Sequence, residues 1–175
     1  MKKWILIFCL PFSLLAANPP LSHVITPQGG TDPLIENKKL IAGFYKALAE
    51  NDAQMISEIL AKNYKIQDST IVFDSSYSKY DAFSKNILVR MKSLHIALPD
   101  FEITIIQMIA EDNQVLARVR MTGVQRGSFL GVEPTLKPVV INMFSVFTID
   151  RGKITNVNEM WNELSVMKQI GHIVL

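Results

Sequence analysis

Apolar residues recur at helical spacing through Leu34, Ile41, Phe44, Tyr45 and Leu48, which predicts an amphipathic first helix. Asp32 supplies its cap, Pro33 suits its first turn, and the pattern fades near Glu50. Asn51-Asp52 then opens a short second helix that buries Ile56, Ile59 and Leu60. From Tyr64 to Phe73 the pattern is mixed, reading as a short strand and a loop around Gln67-Asp68. Ser78 to Leu98 carries Phe83, Ile87, Met91 and Leu94 on one face and reads as a third helix, stopped by Pro99.

At Phe101 the period shortens to two. Phe101, Ile103 and Ile105 alternate with Glu102 and Thr104, and the phase slips at Ile106 so that Met108 and Ala110 continue the buried set, the mark of a bulge. After a turn at Asp112-Asn113, Val115, Ala117, Val119 and Met121 alternate with the solvent-facing Arg118, Arg120 and Thr122. Val139 to Ile149 is apolar on both faces and reads as a central strand. Asp150-Arg151-Gly152 turns it into a last strand, Ile154 to Trp161, and a short closing helix ends at Gly171 as a left-handed cap. Three helices followed by a meander of about four antiparallel strands predict an α+β domain, because the helices bury their apolar faces only by lying on one side of the sheet. A sheet curled through the bulge leaves a cavity between sheet and helices.

The mean hydropathy of +0.20 owes much to the first seventeen residues. Lys2-Lys3, an apolar run from Trp4 to Ala17 and the following Asn18-Pro19-Pro20 match a secretory signal cleaved near Ala17, with an uncleaved buried helix as the alternative. Residues 18–32 then read as a linker rich in proline, glycine and small polar residues, and 33–175 as the folded domain. Lys2 and Lys3 leave with the signal and no acid does, so the formal charge falls from +2 to zero. A neutral surface without a basic stripe argues against nucleic acid as a partner, and no stable membrane insertion is expected after signal removal. Cys9, the one cysteine, leaves too, which excludes a disulfide, a thiol nucleophile and a thiolate metal site. His23, His95 and His172 have no shared-ligand spacing, so neither metal nor cofactor is expected.

Pro99-Asp100 opening a strand, the block holding Gly123, Gly127, Phe129, Gly131, Pro134 and Thr135, then Gly152-Lys153-Ile154, and Leu164 with Gln169-Ile170-Gly171 resemble the SnoaL-like polyketide cyclases, or ester cyclases. The resemblance covers about Pro33 to Gly171. It implies the cone-shaped α+β barrel of the nuclear-transport-factor-two-like superfamily, a curved antiparallel meander on three N-terminal helices with a short closing helix. It also implies an aspartate acting as acid and base beside a substrate carbonyl, seven residues before the glutamine of the closing helix. That position is Asn162, counted from Gln169, and an amide takes up no proton at neutral pH. Where many relatives carry histidines, this chain has Gln125 and Gln67-Asp68.

Two readings of these amides stay open. Gln67 and Gln125 suit a pocket that holds a ligand without transforming it, or are ordinary loop amides; Asn162 suits the same pocket, or caps the last helix. The expected function is therefore binding of a small apolar or polyketide-like ligand in the cone by Gln67, Gln125, Phe129, Phe144 and Trp161, with the catalytic position occupied by Asn162. The first alternative is an active cyclase or isomerase with a relocated carboxylate, Glu159, Glu163 or Asp68. A buried carboxylate inside the cone would favour it. The second alternative is an interaction domain whose open sheet face forms a homodimer.

Overall fold

Helix α1 (Pro33–Glu50) starts where Asp32 accepts a hydrogen bond from the Leu34 N–H at 2.9 Å, and stops where Asn51 turns left-handed at φ 57°. The computed structural model describes residues 32–68 and 86–173, without the side chains of 67 and 68. The expected signal, most of the linker, Phe73, and the first part of the third helix with Phe83 lie outside the described residues. Helix α2 (Ala53–Ile59) is capped by Asp52, which accepts from the Met55 N–H at 2.9 Å, and it buries Ile56. Helix α3 (Ile87–Ala97) is capped by Asn86 and buries Ile87, Met91 and Ala97. Its His95 ring sits 2.9 Å from the Leu48 carbonyl oxygen, which ties α3 to α1.

The strands depart from the expected meander at one edge. Leu60 does not close α2 but opens β1 (Leu60–Asp68), which includes the residues expected to form a loop at Gln67-Asp68. β1 runs parallel to the last strand, with Gln67 opposite Asn158 and Asp68 opposite Glu159. An edge strand needs only one partner, and its polar sequence carries little of the alternation that marks a half-buried strand. The other four strands are the expected antiparallel meander: β2 (Glu102–Glu111), β3 (Gln114–Val124), β4 (Pro138–Asp150) and β5 (Lys153–Trp161). The order β1-β5-β4-β3-β2 puts β4 at the centre and, among the described residues, β1 and β2 at the edges, so the mixed sheet is curved but open. The β2 to β3 register shifts between Ile105 and Gln107, a bulge at Ile106. Arg151 and Gly152 both have positive φ, 47° and 71°, as a two-residue hairpin turn requires.

β4 is central, yet only one of its apolar faces is covered. Val139, Ile141, Ser145, Phe147 and Ile149 point inward and are buried, while Val140 and Phe144 on the other face are 41% and 46% exposed. Inside, Phe44, Tyr45 and Phe147 meet edge to face with ring centroids 5.3 to 5.8 Å apart. Such rings prefer edge contacts because the positive rim of one meets the negative face of the next. Helix α4 (Glu163–Gln169) closes the far end, burying Val166 and Met167 beside Met121, Val139 and Ile141. Among the described residues no helix is long and apolar enough to cross a membrane.

Candidate functional site

A cavity of about 80 Å³ lies between the inner face of the sheet and helices α1 and α3. Phe44 and Leu48 come from α1, Ile87, Met91 and Leu94 from α3, and Met121, Ile141, Met143 and Trp161 from the sheet. Phe129, on the loop between β3 and β4, closes the wall. Among the described residues only Arg90 and Glu159 bring charge to it. The space holds a few waters or the reacting part of a small, mostly apolar molecule.

The strand period carries Glu159 inward, since Val157, Glu159 and Trp161 share one face of β5. At 4% exposure a lone carboxylate would cost several kcal/mol of lost hydration. Arg90, reaching down from the first turn of α3, offsets that cost: its Nη2 donates to Glu159 Oε2 at 2.8 Å, and its side chain is itself only 16% exposed. This bond engages one carboxylate oxygen and one guanidinium nitrogen, so the pair keeps an acceptor and further N–H donors for a molecule in the cavity.

Two phenols surround the pair. Ser145 is the cross-strand neighbour of Glu159 and is fully buried, and the Tyr45 hydroxyl donates to its Oγ at 3.1 Å. The Tyr64 hydroxyl is buried and meets no hydrogen-bond partner among the described residues. Burial pushes both phenols above their ordinary value of 10.0; the charge of Glu159 pushes further, against the Ser145 bond at Tyr45 and the Arg90 charge at Tyr64. Both hydroxyls therefore stay protonated across the physiological range.

The residues nominated from sequence divide between this site and the scaffold. Glu159, Trp161 and Phe129 line the cavity. Phe144 does not: one residue from Ser145, it falls on the outer face of β4, where the Arg118 guanidinium lies 5.8 Å from its ring centre. Asn162 does not either, because the chain leaves β5 at Trp161 and the Asn162 side chain turns to cap α4, accepting from the Ser165 N–H at 2.8 Å. Gln125 is fully buried, but its amide bonds its own loop: Nε2 donates to the carbonyls of Gly127, Val132 and Glu133, and Oε1 accepts from the Thr135 backbone and hydroxyl. All of these bonds stay within that loop. Glu163 stands in the first turn of α4, where a negative charge favours the helix dipole, and is not on the cavity wall. Gln67 and Asp68 lie on β1 beside β5, with side chains outside the described residues.

Sequence reasoning missed Arg90, Tyr45, Tyr64 and Ser145. A signal existed for two of them: Arg90 is the one charge within the apolar run Ile87-Leu88-Val89-Arg90-Met91, and Ser145 is the one polar residue at the inward positions of β4. Among the described residues no group of three His, Cys, Asp or Glu side chains is placed to hold a metal ion.

The profile of the family described as SnoaL-like polyketide cyclase matches residues 39–170. Among solved structures, the domain is similar to AclR of Streptomyces galilaeus, a proposed hydroxylase, at TM-score 0.67 and 19% identity, covering 81% of this chain and 99% of that one. It is similar to TsrD of Streptomyces laurentii at TM-score 0.67 and 17% identity, covering 82% and 100%. It is also similar to an LEH-like epoxide hydrolase of M. tuberculosis at TM-score 0.58 and 15% identity, covering 79% and 92%. At these identities the likeness establishes the fold. Among curated proteins no sequence matches the chain.

Proposed function

The chain belongs to the SnoaL-like polyketide cyclase family, and from that premise we propose that it binds a small, largely apolar carbonyl compound in the cavity and moves a proton on it. One observation carries this reading: a carboxylate that is 4% exposed stands, with a guanidinium beside it, on a cavity wall whose other described residues are apolar. Asn162 then loses its weight as evidence against catalysis, because its side chain caps a helix.

In the proposed step, Glu159 Oε1 takes a proton from the carbon next to the substrate carbonyl. The electron pair of that C–H bond moves toward the carbonyl oxygen, and the free N–H donors of Arg90 meet the charge that develops there. The enolate carbon either attacks a second carbonyl, closing a ring while the alkoxide formed there takes the proton from Glu159, or the proton returns from Glu159 to that carbon or to one conjugated with it; in each case Glu159 ends ionised again. The apolar walls favour this arrangement, since charge interactions strengthen where water is excluded.

Proton exchange tests the proposal without knowledge of the natural substrate. In D₂O the wild type is expected to speed deuterium incorporation next to the carbonyl of small β-keto esters. Glu159→Gln keeps the shape and is expected to lower that rate by about 10²- to 10⁴-fold, with binding changed far less. A wild type that binds these esters without exchanging their protons would leave ligand holding alone.

Two further parts of the proposal rest on separate observations. The exposed apolar face of the sheet around Phe144 and Met160 supports association of two copies. The sequence of residues 1–17 supports export, with cleavage near Ala17.

A further inference from the structure

Gln125 is the most completely engaged polar side chain described in the domain, and its bonds lead to the cavity. Its backbone ends the β3 to β4 pairing, donating to the Lys137 carbonyl at 2.9 Å and accepting from the Leu136 N–H at 3.0 Å. Its side chain then crosses the loop it begins, with Nε2 3.0 Å from the Val132 carbonyl oxygen. Val132 pairs in both directions with Phe129, at 2.9 and 3.0 Å, and Phe129 is the loop residue on the cavity wall. On its other side the loop is docked to the end of α3, where the Arg126 and Gly127 N–H groups donate to the Ala97 carbonyl at 2.9 and 3.1 Å. Gly127 has no room for more, since a Cβ there would meet the Ile96 carbonyl oxygen at 2.2 Å.

We propose that Gln125 is the positioning residue for cavity specificity: by holding Val132, and through it Phe129, it sets how long an apolar chain the cavity accepts. The proposal rests on the reading that the cavity binds a small carbonyl compound. An amide suits the place because it donates to carbonyls and accepts from Thr135 at once. A carboxylate would face three carbonyl oxygens with negative charge, and a methionine would fill the volume with no polar contact.

The test uses the full chain and methyl ketones from butanone to undecan-2-one as probes, with binding read by isothermal titration calorimetry. Phe129→Ala removes the wall and is expected to shift the relative affinity toward the longer ketones by about tenfold. Gln125→Met is expected to shift it in the same direction, and the double variant to shift it no further than the larger single effect, as for two residues acting through one contact. Thr135→Val, which removes one bond of the network, gives a smaller shift of the same sign and serves if Gln125→Met fails to fold. An unchanged chain-length profile in both variants, or additive shifts in the double variant, overturns the proposal, because loss of stability alone lowers all affinities together. If the wild type binds no ketone, the carbonyl reading falls. Amide exchange then decides the positioning claim: faster exchange at Phe129 and Val132 in Gln125→Met supports it, and unchanged exchange overturns it.

Discussion

Glu159 and Asn162 stand three residues apart, and only the first faces the cavity. Strand alternation turns Glu159 inward, whereas the change from strand to helix after Trp161 swings the next side chain onto the α4 backbone. Aspartate caps a helix about as well as asparagine, so Asn162→Asp is expected to change stability by less than about 0.5 kcal/mol and to add no proton-transfer activity. Asn162→Ala should cost about 1 kcal/mol in urea unfolding. A gain of activity in Asn162→Asp would return the catalytic role to that position. Tyr45 and Tyr64 give a pH signature at the same scale. Their folded values lie above the ordinary 10.0, so on raising the pH the unfolded chain releases these protons first. Their contribution to stability is complete below about pH 10 and declines above it. Unfolding free energies measured through that range should fall more shallowly in a Tyr45→Phe, Tyr64→Phe double variant.

Among the elements, α4 shows how a short helix replaces a missing strand. β5 ends opposite Met143, which leaves the Val140 end of β4 without a neighbour on that side. Gln169 fills the place: the Val140 N–H donates to its Oε1 at 2.7 Å, and its Nε2 donates to the Val140 carbonyl at 3.0 Å. Gln169→Leu strands both backbone groups and is expected to cost about 1–3 kcal/mol. Amide exchange should localise the loss to Val140 and α4; unchanged protection at Val140 would show that the pairing contributes nothing. The opposite edge, β1, was the element least legible in the sequence, because pairing with β5 overrides the turn tendency of Gln67-Asp68.

At the scale of the domain the unburied face of the sheet is the open feature. Ile109, Val140, Phe144 and Met160 are 41% to 57% exposed, and Arg118 and Arg120 stand among them. Solvent tolerates single exposed apolar residues, but several on one face of the sheet suit a contact between two copies. Light scattering over a concentration series should therefore show a dimer that Phe144→Asp dissociates without unfolding. A wild type that remains monomeric at every concentration would sink this part of the proposal.

Element types, their caps and the division into helices and meander were legible in the sequence, because periodicity, Asp32, Asp52 and the Arg151-Gly152 turn act over a few residues. The bulge at Ile106 belongs to the same class. The partners of the polar residues were decided only by the tertiary structure. Arg90 and Glu159 are 69 positions apart and Tyr45 and Ser145 are 100 apart, so no local pattern couples them. Gln125, Asn162 and Phe144 show the same boundary from the other side. Their chemistry was evident at once, but whether each faced the cavity, its own backbone or the outer surface depended on the path the chain took after it.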